Sequence, residues 1–141
     1  MVSPSNVVWV GIDGFVNFEQ ADTIRKNGAT IFTGEDVQRT GPVEVARRAG
    51  DLAIKECDYI YLSMDIDVMD SGFSPCTGSP VFAAITPMIA GQMLRELAKY
   101  PIGSMDFCET SPRPGTTDRS NMMAAHFILG IVGPKVFDIE T

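Results

Sequence analysis

Asp65, Asp67 and Asp70 crowd together directly after an apolar run, Tyr59-Ile-Tyr61-Leu-Ser63-Met64. Alternate residues of a strand face one side, so a strand carried through Asp67 aims the Asp65 and Asp67 carboxylates at one point near its end. Asp70 falls where the chain turns away. Like charges this close repel, and either a retained proton or a bound cation relieves them. Carboxylate oxygens are hard donors that suit magnesium, manganese or calcium. The plainer reading is a solvated acidic turn. The apolar strand in front sets the cluster against a core and favours the metal. A further carboxylate, Glu109, ends another apolar segment, 102–108. The one histidine, His126, lies in Asn121-Met-Met-Ala-Ala-His126-Phe-Ile-Leu, well away from either motif. It reads as a structural residue on a packed or half-exposed helix.

The elements that must position these groups alternate along the chain. Val7 to Ile12 is a β-branched run closed by the turn pair Asp13-Gly14, and 18–26 suits a helix stopped by Asn27-Gly28. Thr30-Ile-Phe-Thr33 reads as a second strand. Gly41-Pro42 opens a longer helix over 42–56, where Val45, Ala46, Ala49 and Leu52 recur at helical spacing. The strand 59–64 then delivers the aspartates. A loop rich in Ser, Gly and Pro follows, too long for a plain connector and suited to function. Thr86-Pro87 starts a helix to about Tyr100, 102–108 is a strand ending at Glu109, and Arg119 to about Val132 is a last helix. This succession implies an α/β fold: three layers, a mostly parallel sheet with helices on both faces, in a single domain over 1–141. Ligands of such sheets gather beyond the carboxyl ends of the strands, where Asp65, Asp67 and Glu109 stand.

Bulk properties narrow the function. The 141 residues are 45% hydrophobic and 21% charged, as in a soluble globular protein, and no run is long enough to span a bilayer. The first residues lack the basic and apolar regions of a signal peptide. Cys57, Cys76 and Cys108 make no disulfide framework and fit a reduced cytoplasm. A net charge of −7 without a basic run argues against nucleic acid. It is compatible with a cationic substrate or metal.

Ser63-Met-Asp65-Ile-Asp67-Val-Met-Asp70, followed by Pro75-Cys-Thr77-Gly78-Ser-Pro80, resembles the ureohydrolases: arginase, agmatinase and formiminoglutamase. Asp106-Phe-Cys-Glu109-Thr-Ser-Pro112 resembles a third element of that family, a strand ending in Glu. The resemblance runs from about Val7 to Val132 and concerns only the C-terminal half of those enzymes. It implies that Asp65 and Asp67 are ligands of a two-manganese centre. That centre holds a hydroxide that attacks a guanidinium carbon, releasing urea, or a formimino carbon, releasing formamide. It implies that Glu109 pairs with the planar guanidinium or formimino group, that Thr77 and Gly78 shape the loop beside the substrate, and that Asp70 anchors the ligand loop without touching metal.

The family's first half supplies a ligand His and an Asp-x-His-x-Asp motif, more than half of the metal ligands, and neither is in this chain. The expectation is weak or partial manganese binding and little or no hydrolysis by the chain alone. No catalytic acid or base is assigned. Smaller departures are Ser71 in place of Pro, Ala83-Ala84 in place of a Gly pair, Ile89 in place of Glu, and Asp13 where Arg is frequent. Cys76, in the same loop, reads as a small residue without chemical consequence. The serious rival is a non-catalytic ureohydrolase module that pairs with a complementary N-terminal half or with its own copy, since half of a parallel sheet leaves an edge strand unpaired. A haloacid-dehalogenase-type phosphatase fails because no second acidic motif follows. A calcium EF-hand fails because Asp70 stands where Gly is required.

Overall fold

The computed structural model describes residues 2–12, 18–82, 85–111 and 118–137. Asp13, Gly14, the Ala83-Ala84 pair and Pro112 lie outside the described residues. The elements run β1 (Val8–Ile12), α1 (Phe18–Lys26), β2 (Thr30–Thr33), α2 (Gly34–Thr40), α3 (Pro42–Ile54), β3 (Ile60–Asp65), α4 (Pro87–Leu97), β4 (Ile102–Cys108) and α5 (Arg119–Phe137). Short 3-10 turns cover Pro4–Asn6 and Ile66–Val68.

Local chemistry sets these boundaries. Thr33 ends β2 and begins α2 through a reciprocal cap: its hydroxyl accepts the Asp36 N–H at 3.1 Å, and the Asp36 carboxylate accepts the Thr33 N–H at 2.9 Å. Gly41, at φ 96°, turns the chain between α2 and α3 in a conformation that side chains resist. Pro42 and Pro87 stand in the first turns of α3 and α4, where a missing N–H is harmless. Helix α2 is an element that the sequence reading did not include. The last helix continues through Pro134 to Phe137, beyond the expected end near Val132.

All strand pairing in the ladders is parallel, as the alternating order requires: β1 with β2, and β3 with β4. Among the described residues the two ladders are not joined to each other. They nevertheless share one core. Val37 of α2, Val45 of α3, Met64 of β3, Leu94 of α4 and Phe127 of α5 form it, with Val10 and Phe32 packed on its edge. Helix α3 packs against α4 and lies against both β1 and β3. On β3, Ile60, Leu62 and Met64 turn inward while Tyr61, Ser63 and Asp65 are exposed. The parallel α/β arrangement is therefore the expected one, and the Tyr61 side of the β3–β4 ladder is open to solvent. Among the described residues no helix is long and apolar enough to cross a membrane.

Candidate metal and substrate site

Strand β3 ends at Asp65, and Asp67 sits in the 3-10 turn that follows. The two aspartates therefore do not alternate along one strand, which corrects the geometric reason first given for their proximity. The turn brings them together instead. Asp65 Oδ1 accepts the Asp67 N–H at 3.1 Å and so caps the turn with one of its two oxygens. Burial, then the hydrogen bond and charge of Asp65, then the charge of Glu109, push the Asp67 carboxyl up to about 6. Three carboxylates from two strand ends thus share one electrostatic environment. Asp67 is the most shielded of them, and Asp65 and Glu109 are exposed.

Glu109 follows β4 directly and adopts φ 61°, a left-handed conformation costly for a residue with a side chain. The 71–80 loop lies against it. Thr77 pairs with Thr110 in an antiparallel bridge, and the Ser111 N–H donates to the Cys76 carbonyl at 2.9 Å. A Cβ on Gly78 would lie 3.2 Å from Glu109 Oε2, so glycine leaves room for that carboxylate. Thr77 itself is fully buried and its hydroxyl faces the Ser79 N–H at 3.4 Å. Cys76 is buried as well.

Asp70 closes the near end of the loop. Its Oδ1 accepts the Gly72 N–H at 2.8 Å, its carbonyl accepts the N–H groups of Phe73 and Ser74, and its own N–H donates to the Ile85 carbonyl at 3.0 Å. The far anchor, Ser120, escaped the sequence reading. Buried at the start of α5, its hydroxyl lies 3.0 Å from Ser74 Oγ and accepts the Cys76 N–H at 3.0 Å. A serine in a helix N-terminus gives no sequence signal for a contact forty-odd residues away. Asp106 opens the motif that runs to Glu109. On the open sheet face it accepts hydrogen bonds from Tyr61 and from Ser63, the latter at 2.7 Å, which hold its carboxyl below the usual range. The expected outlier stays one: His126 is exposed on α5, with its ring 6.2 Å from that of Phe127.

Hard divalent cations need about six oxygen or nitrogen donors each. Among the described residues no group of three or more His, Cys, Asp or Glu side chains is arranged to hold a metal ion. Asp65 and Asp67 suit a cation by charge and donor type, but they do not by themselves complete a dinuclear centre.

Comparison with known proteins identifies the family. A family model described as the arginase family matches residues 1–133. The arginase of Bacillus subtilis (strain 168) is 26% identical over 138 residues, which are 96% of this chain and 45% of that protein. The agmatinase of Proteus mirabilis is 29% identical over 136 residues, 94% of this chain and 40% of that protein. Arginase from Bacillus caldovelox superposes with a TM-score of 0.86 at 25% identity, over 94% of this chain and 44% of that one. Formimidoylglutamase from Bacillus subtilis shares the fold, with a TM-score of 0.85 at 18% identity over 94% and 42% of the two chains. The chain thus spans less than half the length of the relatives it matches. The match itself runs from β1 into α5 and takes in every strand and the loop between Asp70 and Thr86; the chain belongs to the arginase family.

Proposed function

We propose that this chain contributes the C-terminal half of an amidinohydrolase site that acts on guanidino or formimino C–N bonds with manganese. The observation that supports it is the shared environment of Asp65, Asp67 and Glu109 beyond the ends of β3 and β4, walled by the Thr77-Gly78 loop. In this reading Asp65 and Asp67 are metal ligands. Asp70 acts through the loop whose turn it holds. Glu109 accepts hydrogen bonds from the planar, cationic head of a small substrate, and its exposure leaves both oxygens available. Thr77, being buried, contributes by fixing the loop and leaves substrate contact to its neighbours. Manganese supplies Lewis-acid activation of water in such sites. Among the described residues the donors do not complete that centre, so no chemical step is assigned to the chain alone. The site is completed by further polypeptide, in the same chain or another, and a cytoplasmic setting suits the reduced cysteines.

The second reading, a non-catalytic module held in a complex, is favoured by the incomplete donor set. Calorimetry with manganese and assays for urea release from arginine and agmatine, and formamide release from formiminoglutamate, separate the two. The isolated chain is expected to bind manganese weakly and hydrolyse none of them. Tight binding of two ions with turnover by the isolated chain would overturn the half-site reading. A completed assembly that binds manganese but hydrolyses no substrate of these classes would leave the module reading standing.

A further inference from the structure

We propose that Ser120, at the start of α5, is a positioning residue: through Cys76 its hydroxyl fixes the place from which the Glu109 carboxylate meets a planar cationic head. This role deepens the half-site reading above and rests on it for what Glu109 recognises. How Glu109 is held follows from its neighbours. On one side Cys108 closes the β3–β4 ladder, paired with Asp65. On the other side Thr110 is bridged to Thr77, and the Ser111 N–H donates to the Cys76 carbonyl at 2.9 Å. Glu109 alone joins a strand that follows β3 to residues that follow the 71–80 loop, and it makes that join at φ 61°. A left-handed backbone is unfavourable for a residue with a side chain and persists only where its surroundings over-determine it. The φ of Glu109 therefore reports the hold of the loop.

The loop is held at two levels. Its base closes on itself, with the Ser71 N–H donating to the Val81 carbonyl at 2.9 Å and Asp70 Oδ1 accepting the Gly72 N–H. Its middle is held from α5, where the Ser120 hydroxyl accepts the Cys76 N–H at 3.0 Å. Cys76 thus has its N–H on α5 and its carbonyl on the residue two past Glu109. Ser74, Cys76, Thr77 and Ser120 are all buried. Water does not compete for a bond in such a place, and an N–H deprived of its acceptor there must move or stay unsatisfied.

Ser74 supplies a matched comparison. Its hydroxyl is as buried as that of Ser120 and donates to it at 3.0 Å. Removing either hydroxyl breaks that pair. Removing the one on Ser120 also releases the Cys76 N–H, and with it the link to Glu109. A purely structural serine would give the two substitutions the same consequence.

The test is NMR on the 141-residue chain and its Ser120→Ala, Ser120→Thr and Ser74→Ala variants. The signature is the contact between the amide and α protons within Glu109, which is strong at positive φ and weak in extended backbone. In Ser120→Ala it is expected to fall by at least about twofold, while exchange at the Cys76 and Ser111 amides speeds by at least about tenfold. Thr30, whose N–H donates to the Val7 carbonyl in the other ladder, should keep its rate, and Glu56 at φ 60° its own signature. Ser120→Thr keeps the hydroxyl and should restore Glu109. Should the added methyl overfill the site, Ser74→Ala still decides, since it should leave the Glu109 signature intact. An unchanged Glu109 contact in Ser120→Ala, an equal loss in Ser74→Ala, or equal acceleration at Thr30 would each overturn the proposal. In the completed assembly, assayed with arginine and agmatine, Ser120→Ala is expected to raise KM about tenfold with kcat changed less. An unchanged KM also overturns the role in recognition. A wild-type assembly without turnover defeats the half-site reading instead, and the hold on Glu109 is then judged by NMR alone.

Discussion

Glu109 holds a left-handed backbone at φ 61°, where glycine would be at ease. Backbone strain alone does not mark a functional residue; at Glu109 it coincides with a position beside Asp67 and the 71–80 loop. Glu109→Gly is expected to raise the stability of the metal-free chain by about 0.5–1 kcal/mol in urea unfolding. Glu56, at φ 60° between α3 and the start of β3, is the control. Glu56→Gly should give the same gain, while only Glu109→Gly removes recognition of a guanidinium ligand in the completed assembly. Asp67 carries the other residue-level prediction. Its folded carboxyl lies near 6, above its ordinary 3.8, so the folded chain retains a proton that the unfolded chain has released. Metal-free stability therefore declines as pH rises from about 4 to about 6 and stays level above that. Asp67→Asn should flatten that slope and stabilise the chain at pH 7 by on the order of 1 kcal/mol, solvent screening having reduced the full effect. Urea midpoints measured across this pH range check it, and an unchanged slope in the variant would place the repulsion elsewhere.

At the scale of elements, one tight joint lies between α3 and the segment that follows α4. A Cβ on Gly50 would lie 2.5 Å from Tyr100 Cζ. That ring is not free to swing, because its hydroxyl donates to Asp51 Oδ1 at 2.7 Å and lies 3.0 Å from the Arg47 carbonyl. Burial, and then the bond to Asp51, push the phenol up to about 12, so the joint persists through the alkaline range. Alanine usually improves a helix interior by about 0.5–1 kcal/mol over glycine, and overpacking costs about 1–3 kcal/mol. Overpacking should win, and Gly50→Ala is expected to lower the melting temperature. In a Tyr100→Ala background the sign should reverse. Helices α3 and α4 were legible from apolar spacing because each has one buried stripe and a Pro at its start. Helix α2 was not, being short and polar, although Thr33 and Asp36 form a capping pair that marks its start. The acidic residues of the site were visible as residue types at strand ends. Their actual meeting depends on a 3-10 turn after Asp65, which carries no periodicity to read. Ser120 was invisible for the reason that defines tertiary structure: its partners Ser74 and Cys76 are local to it only after folding.

For the whole molecule, two opposed surface properties decide how the chain behaves alone. Net charge is −7 at neutral pH, which keeps copies apart. Yet Tyr59, Tyr61, Phe82, Met88, Met122 and Leu129 are all well exposed, Phe82 at 95%. Exposed apolar area drives association wherever the charge that opposes it is removed. Lowering the pH toward the isoelectric value of 4.5 removes net charge, and added salt shortens the reach of what remains. Sedimentation velocity is therefore expected to show mostly monomer at about pH 8 in low salt, with larger species growing as pH falls and as ionic strength approaches about 0.15 M and above. This association is surface adhesion, so it should leave amide exchange at Val8 and Val10 unchanged. A polypeptide that covers the Tyr61 face should suppress it, because it removes exposed apolar area. If instead the larger species persist after that face is covered, the adhesive surface is α5, whose Met122 and Leu129 lie opposite its buried Phe127 and Ile131. Leu129→Lys would then dissolve them at a cost in stability of no more than about 0.5 kcal/mol.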